Sequence, residues 1–215
     1  MSSEQPVPGR ARRGRLFVIA APSGAGKTSL VRALMEHEPG LRFSISYTTR
    51  PQRPTEVHGR DYFFVPPDEF ERMAAAGEFL EHARVFDNRY GTARRQVEES
   101  LAAGQDLILE IDWQGAAQIR RTMPECVTIF ILPPSRAELE RRLRGRGTDA
   151  EEVILRRLRD AASDMTHWRE FDHVVVNDDF GQALAGLRDI VAGAGEATRR
   201  DRPGLRELTA ELTGR

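Results

Sequence analysis

The run Ala21-Pro22-Ser23-Gly24-Ala25-Gly26-Lys27-Thr28 constrains this chain more than any other segment. It follows a continuous apolar stretch, Arg15–Ala21 (RLFVIAA), which reads as a buried parallel strand. It precedes Thr28–Glu38, where Leu30, Val31 and Leu34 share one helical face. Strand, glycine-bearing turn and helix, in that order, are the context of a phosphate-binding loop. Gly24 and Gly26 let the backbone curl so that its N–H groups point at an anion. The helix N-terminus adds partial positive charge. Lys27 is expected to reach the β- and γ-phosphates of a nucleoside triphosphate, and Thr28 to set its hydroxyl on Mg²⁺. The pattern G-x-x-x-x-G-K-[ST] is met except at its first position, where Ala21 stands. An ordinary glycine-rich turn with an incidental lysine accounts less well for the flanking strand and helix.

Composition sharpens the point. Lys27 is the only lysine among 32 basic residues; every other one is arginine. A compact ammonium differs chemically from a planar guanidinium, and the lone one falls in the loop. The formal net charge of -1 gives no global attraction to nucleic acid or membrane. With 40% hydrophobic and 30% charged residues in 215, a soluble globular domain is expected. The single cysteine, Cys126, excludes an intrachain disulfide and a multi-cysteine metal cluster, and reads as a small buried residue. His37, His58, His82, His167 and His173 lack metal-ligand spacing, and no Ser/His/Asp triad is indicated. No apolar stretch is long enough to span a bilayer, and no secretory signal follows the N-terminal arginines, so the cytoplasm is the expected location.

Further strands are expected at Asp106–Asp112 (DLILEID), Val127–Leu132 (VTIFIL) and His173–Asn177. Helices follow at Gly115–Met123, Arg136–Arg144, Glu151–His167 and from about Gln182. That alternation implies an α/β fold, a parallel sheet with helices on both faces. Residues 43–90 are rich in Tyr, Phe, Thr, Arg and Pro, and read as a small β-rich insert with one helix, Pro67–Ala76. Met1–Arg13 reads as a disordered tail, and Arg199–Arg215 as a charged segment, a short helix that packs loosely.

Three clusters beyond the loop carry chemistry. Ser46-Tyr47-Thr48-Thr49-Arg50-Pro51-Gln52-Arg53 sets two arginines three apart beside hydroxyls, which suits either a second, smaller phosphate or a solvated basic loop. Tyr62, Glu81, Tyr90 and Thr92 offer a carboxylate among aromatics and hydroxyls, able to accept from a purine's N–H edge; Glu81 taken alone reads as a surface charge on a strand. Arg141-Arg142-Leu143-Arg144-Gly145-Arg146-Gly147, with Arg156 and Arg157, suits a mobile arm that stabilises a transferring phosphoryl group, or a salt-bridged helix face with Glu138, Glu140, Glu151 and Glu152. Asp112 ends a strand at the expected crevice, and Glu110 shares its face; each suits the orientation of the acceptor or Mg²⁺, or else a capping or ion-pairing carboxylate.

Taken together, APSGAGKT (21–28), SYTTRPQRP (46–54), EVHGRDYFF (56–64), FLEHA (79–83), RYGT (89–92), EIDWQGA (110–116), RLRGRGTD (142–149) and VNDD (176–179) resemble the guanylate kinase family over roughly residues 15–200. The resemblance implies a P-loop sheet with a small β-rich GMP-binding insert and a short Arg-rich lid. The corresponding boundaries are a tail at 1–13, a domain at 14–200 and a tail at 201–215; within the domain the core is 14–42 and 93–200, the insert about 43–92 and the lid about 141–160. It implies that ATP and GMP are the substrates, with dGMP left open, and that Mg²⁺ accompanies ATP. Nucleic acid and membrane are not expected as partners, and oligomeric state is left undetermined. By the same resemblance Ala21, Pro22, Ser23, Gly24, Ala25, Gly26, Lys27 and Thr28 hold ATP, with Thr28 at the metal and Asn177 near adenine. Ser46, Arg50, Arg53 and Tyr90, assisted by Tyr62, hold the GMP phosphate. Glu81, Thr92 and Asp112 read guanine. Lys27, Arg50, Arg142, Arg146 and Arg157 serve catalysis. The family's Gly-Asn-Tyr-Tyr-Gly turn is here Asp87-Asn88-Arg89-Tyr90-Gly91, and Glu110 replaces the more usual Asp. A sugar-phosphate kinase would require loss of the base-reading residues, all of which are present. A non-catalytic scaffold module tends to lose the loop lysine and to be fused to other domains; Lys27 is retained, and 215 residues leave no room for a second large domain.

Overall fold

Residues 12–85, 87–145 and 150–214 are described by the structure, a computed structural model. Leu16–Ala20 (β1) is buried along its whole length. Alternate side chains enter two different cores: Leu16, Val18 and Ala20 face one, Phe17 and Ile19 the other. A strand apolar at every position is what a two-sided sheet requires. Each such side chain contributes roughly 1.5–3 kcal/mol on burial. Helix α1 (Lys27–His37) starts one residue before the predicted Thr28 and buries Leu30, Val31 and Leu34.

After β2 (Leu41–Phe43) the chain leaves the main sheet and forms β3 (Tyr47–Thr48), β4 (Phe63–Phe64), α2 (Pro67–Ala75), β5 (Phe79–Val85) and β6 (Asn88–Ala93). These four strands make a separate sheet in the order β4-β3-β6-β5. The β5–β6 pair is antiparallel, with a register shift between Phe79 and Glu81. A satellite core of Phe70, Met73 and Phe79 lies under α2.

The chain then returns through α3 (Arg94–Ala102), β7 (Asp106–Glu110), α4 (Trp113–Thr122), β8 (Val127–Leu132), α5 (Arg136–Arg144), α6 (Glu151–Met165), β9 (His173–Val176), α7 (Phe180–Ala192) and α8 (Leu205–Thr213). The main sheet is parallel throughout, in the order β2-β7-β1-β8-β9. Helices α1 and α7 cover one face. The other core gathers residues of α3, α4, α5, α6 and α8.

Two expectations change. Asp112 does not end a strand: β7 stops at Glu110, and Asp112 caps α4 by accepting from the Gly115 N–H at 2.8 Å. The C-terminal segment forms the expected short helix, α8, but over its described residues, 199–214, it is not loosely packed: Leu205 and Leu212 are buried against the core. Its charges occupy the outer face, while leucines seven apart share the inner one. Within the expected N-terminal tail, residues 1–11 lie outside the described residues, whereas Arg12 pairs with Asp106 at 2.7 Å.

Candidate active site

The turn after β1 takes the conformation its glycines permit. Gly24 and Gly26 lie at φ of 90° and 93°. Gly26 is also sterically required, since a Cβ there would stand 2.3 Å from the Asn177 amide nitrogen. Asn177 donates to the Ala25 carbonyl at 2.8 Å, and Arg142 donates to the Asn177 carbonyl at 2.9 Å. Both side chains thus brace the back of the loop. In front, a cavity of about 280 Å³ is lined by Ala21, Pro22, Ser23, Gly24, Gly26, Lys27 and Thr28, with Asp112 and Asp164 opposite. Lys27 Nζ donates to the Ile111 carbonyl at 2.7 Å, which aims the ammonium across the carboxyl ends of the strands. The Thr28 hydroxyl donates to the Glu110 carboxylate.

A second cavity, about 160 Å³, opens beside the first. Its lining includes Lys27, Ser46, Tyr62, Glu81, Tyr90 and Asp112. Glu81 is no surface charge: it is 3% exposed, and the Thr92 hydroxyl donates to its Oε1 at 2.6 Å. Burial pushes its carboxyl up to about 7; the Thr92 hydroxyl pulls it back and the charge of Asp112 adds to the rise. Tyr62 is pushed up to about 12, by burial and then by Glu110, so its phenol stays a neutral donor.

A third, larger cavity of about 810 Å³ holds Arg50, Arg53, Tyr62, Tyr90, Thr28 and Glu110. The Arg50 side chain is 14% exposed and donates through Nη2 to Glu56 at 2.7 Å and through Nη1 to the Pro51 carbonyl at 2.8 Å, with its guanidinium 5.5 Å from the Tyr62 ring centre and 5.7 Å from that of Phe64. Glu56 also accepts from the Arg53 backbone N–H at 2.8 Å. Desolvation pushes Glu56 up, but Arg50 and Arg53 more than offset it, leaving this carboxyl below its usual range. A charged carboxylate and two aromatic faces therefore hold a guanidinium at the cavity wall.

Lys27, Tyr62, Tyr90, Glu110, Thr28 and Asp112 each line two of the three cavities, which makes one crevice of them. The expected loop residues other than Ala25, with Ser46, Arg50, Arg53, Tyr62, Glu81, Tyr90 and Asp112, line that crevice, whereas Ala25 is in the core and Thr92 is buried behind Glu81, to which it donates. Arg142 and Asn177 stand behind the loop rather than in the phosphate cavity. Arg157 is on α6, outside the lining of these cavities, and Arg146 lies outside the described residues. Sequence reasoning missed Glu56 and Asp164. Glu56 stands three residues after Arg53, inside a quoted motif, and that spacing was the available signal. Asp164 had none: α6 carries it to the phosphate cavity, where the Trp113 N–H donates to it at 3.1 Å and burial raises it to about 6.

A parallel sheet with its phosphate loop after the central strand, facing an insert that carries clustered arginines, defines the class of P-loop kinases. Within that class the guanylate kinase family model matches residues 13–194. The chain is 58% identical to a guanylate kinase of Methylococcus capsulatus, covering 94% of this chain and 99% of that one. It is 54% identical to the Escherichia coli K12 guanylate kinase, over 83% and 87% of the two chains. The crystal structure of a guanylate kinase from Anaplasma phagocytophilum superposes with a TM-score of 0.72 at 35% identity, covering 93% and 95%. This chain belongs to the guanylate kinase family.

Proposed function

We propose that this chain transfers the terminal phosphoryl group of ATP to the phosphate of GMP, giving ADP and GDP. The observation that carries the reading is the continuity of the crevice. Lys27 and Asp112 line both the phosphate-loop cavity and the cavity that ends on the buried Glu81 carboxylate.

In this reading the loop 21–28 wraps the donor phosphates and Lys27 neutralises them. Ser46, Arg50, Arg53, Tyr62 and Tyr90 hold the acceptor phosphate in the insert, about 43–92. Glu56 keeps the Arg50 fork turned to the cavity wall. Glu81, Thr92 and Asp112 read the N–H edge of guanine. The lid, about 141–160, brings Arg146 and Arg157 toward the phosphates, Arg142 at its base serves by holding the loop from behind, and Asn177 serves the adenine side. The acceptor phosphate is already anionic, so no general base is needed, and positioning and electrostatics do the chemistry. Thr28 and Glu110 supply a hydroxyl and a carboxylate oxygen beside the loop, the all-oxygen donor set that suits Mg²⁺. Bound there, Mg²⁺ supplies charge neutralisation of the donor phosphates. Among the described residues no helix is long and apolar enough to cross a membrane. The cytoplasm, which holds ATP and GMP, is the proposed location.

A coupled assay with GMP, AMP, CMP and UMP should show turnover with GMP far above the others. Comparable rates with all four defeat the acceptor assignment. Lys27→Met should lower kcat by about 10²–10³-fold, the scale of losing one preorganised donor to developing charge.

A further inference from the structure

Gly115, the third residue of α4, is buried, and its helical backbone is open to any residue, so conformational freedom does not explain it. Space does. A Cβ at this position would stand 2.4 Å from Glu81 Oε2 and 3.1 Å from Glu81 Cδ, with Ile111 Cδ1 next at 3.2 Å. The first obstacle is the tip of a side chain, so an added methyl displaces the carboxylate before it strains the main chain. Two contacts keep α4 from backing away. The Gln118 amide donates to the His82 carbonyl at 2.8 Å and accepts from the His82 N–H at 3.2 Å, clipping α4 to β5 on the residue next to Glu81. The other carboxylate oxygen is held by Thr92. A displaced Glu81 must therefore give up that bond or leave its place in the base cavity.

We propose that Gly115 is a specificity-determining positioning residue: its missing side chain is the slot into which the Glu81 carboxylate fits, and the slot sets where that carboxylate meets the base. This rests on the reading of Glu81 as the group that accepts from guanine. Gly115 acts only through Glu81. Its backbone N–H, which caps through Asp112, is untouched by a methyl group.

The test is a double-mutant cycle in the full-length enzyme. Gly115→Ala should raise KM for GMP at least tenfold and lower the preference for GMP over IMP, which lacks the 2-amino group. KM for ATP should stay within twofold, because the donor loop is not touched. Glu81→Asp, with its carboxylate drawn back by one methylene, should also raise KM for GMP. In that background Gly115→Ala should cost less than threefold more, since the overlap is gone. Additive losses in the double variant, or an unchanged KM for GMP in Gly115→Ala, overturn the proposal. If Gly115→Ala fails to fold while the double variant folds, the overlap with Glu81 is upheld; if neither folds, Gly115 serves backbone packing and the proposal falls. Glu81→Gln separates the two readings. If it leaves the preference for GMP intact, the role of Glu81 fails; if it abolishes that preference while Gly115→Ala keeps it, only the role of Gly115 fails.

Discussion

Glu81 illustrates what a single residue gains and loses by burial. Its carboxyl stands at about 7 instead of 4.5, chiefly because little solvent reaches it. Between those values the folded state holds a proton that the unfolded chain has released, so this group's contribution to stability falls as pH rises from about 4.5 through about 7. Guanine recognition has the opposite sense, because an acceptor of two N–H bonds must be ionised. KM for GMP should rise as pH falls below about 7, by up to about tenfold per unit, while KM for ATP does not follow. Glu81→Gln should flatten that part of the profile; an equally steep profile in the variant removes Glu81 as its source. Lys27 was legible because its role depends on immediate neighbours. Glu81 was not, because a strand residue next to a register shift faces inward or outward according to what packs over it, and here that is α4.

Among elements, α4 joins the main sheet to the insert. Asp112 caps it while lining two cavities, and the variants at this position separate those tasks. Asp112→Ala should cost about 1 kcal/mol of stability through the lost cap and also weaken GMP binding. Asp112→Asn keeps an oxygen for the Gly115 N–H, so it should keep stability within a few tenths of a kcal/mol and weaken GMP binding alone. Urea unfolding beside GMP titration reads both effects. Helix α8 is the other element to probe. Leu212 is 1% exposed, and Leu212→Ala should cost about 2–3 kcal/mol in the same unfolding measurement. An unchanged midpoint means the C-terminal helix adds nothing to the fold. Most boundaries were legible to within two residues, because apolar runs and caps are local signals. The strand order of the insert was not. Two-residue strands such as β3 and β4 carry too little periodicity, and β3 pairs in parallel with β4 but antiparallel to β6.

At the scale of the whole molecule, one crevice serves two ligands held by different parts of the chain: the donor by the loop after β1, the acceptor by the insert. GMP at about 100 times its Kd should raise stability by about 2.7 kcal/mol. Lys27→Met should keep that gain and lose the corresponding gain from a non-hydrolysable ATP analogue, as thermal unfolding would report. Loss of both gains would mean that the two sites do not bind separately. The strand–loop–helix order and the phosphate loop follow from local sequence, since apolar runs, glycines at positive φ and a lysine at a helix start act over a few residues. The sequence also carries the motifs that mark the family. The packed fold alone reveals how deeply Glu81 is buried, that Glu56 sets Arg50, and that Arg142 and Asn177 brace the loop from behind. It also decides that Asp164 borders the crevice and that Gly115 abuts the Glu81 carboxylate. Those properties arise where residues far apart in the chain meet, and burial, pairing and available space exist only after they have met.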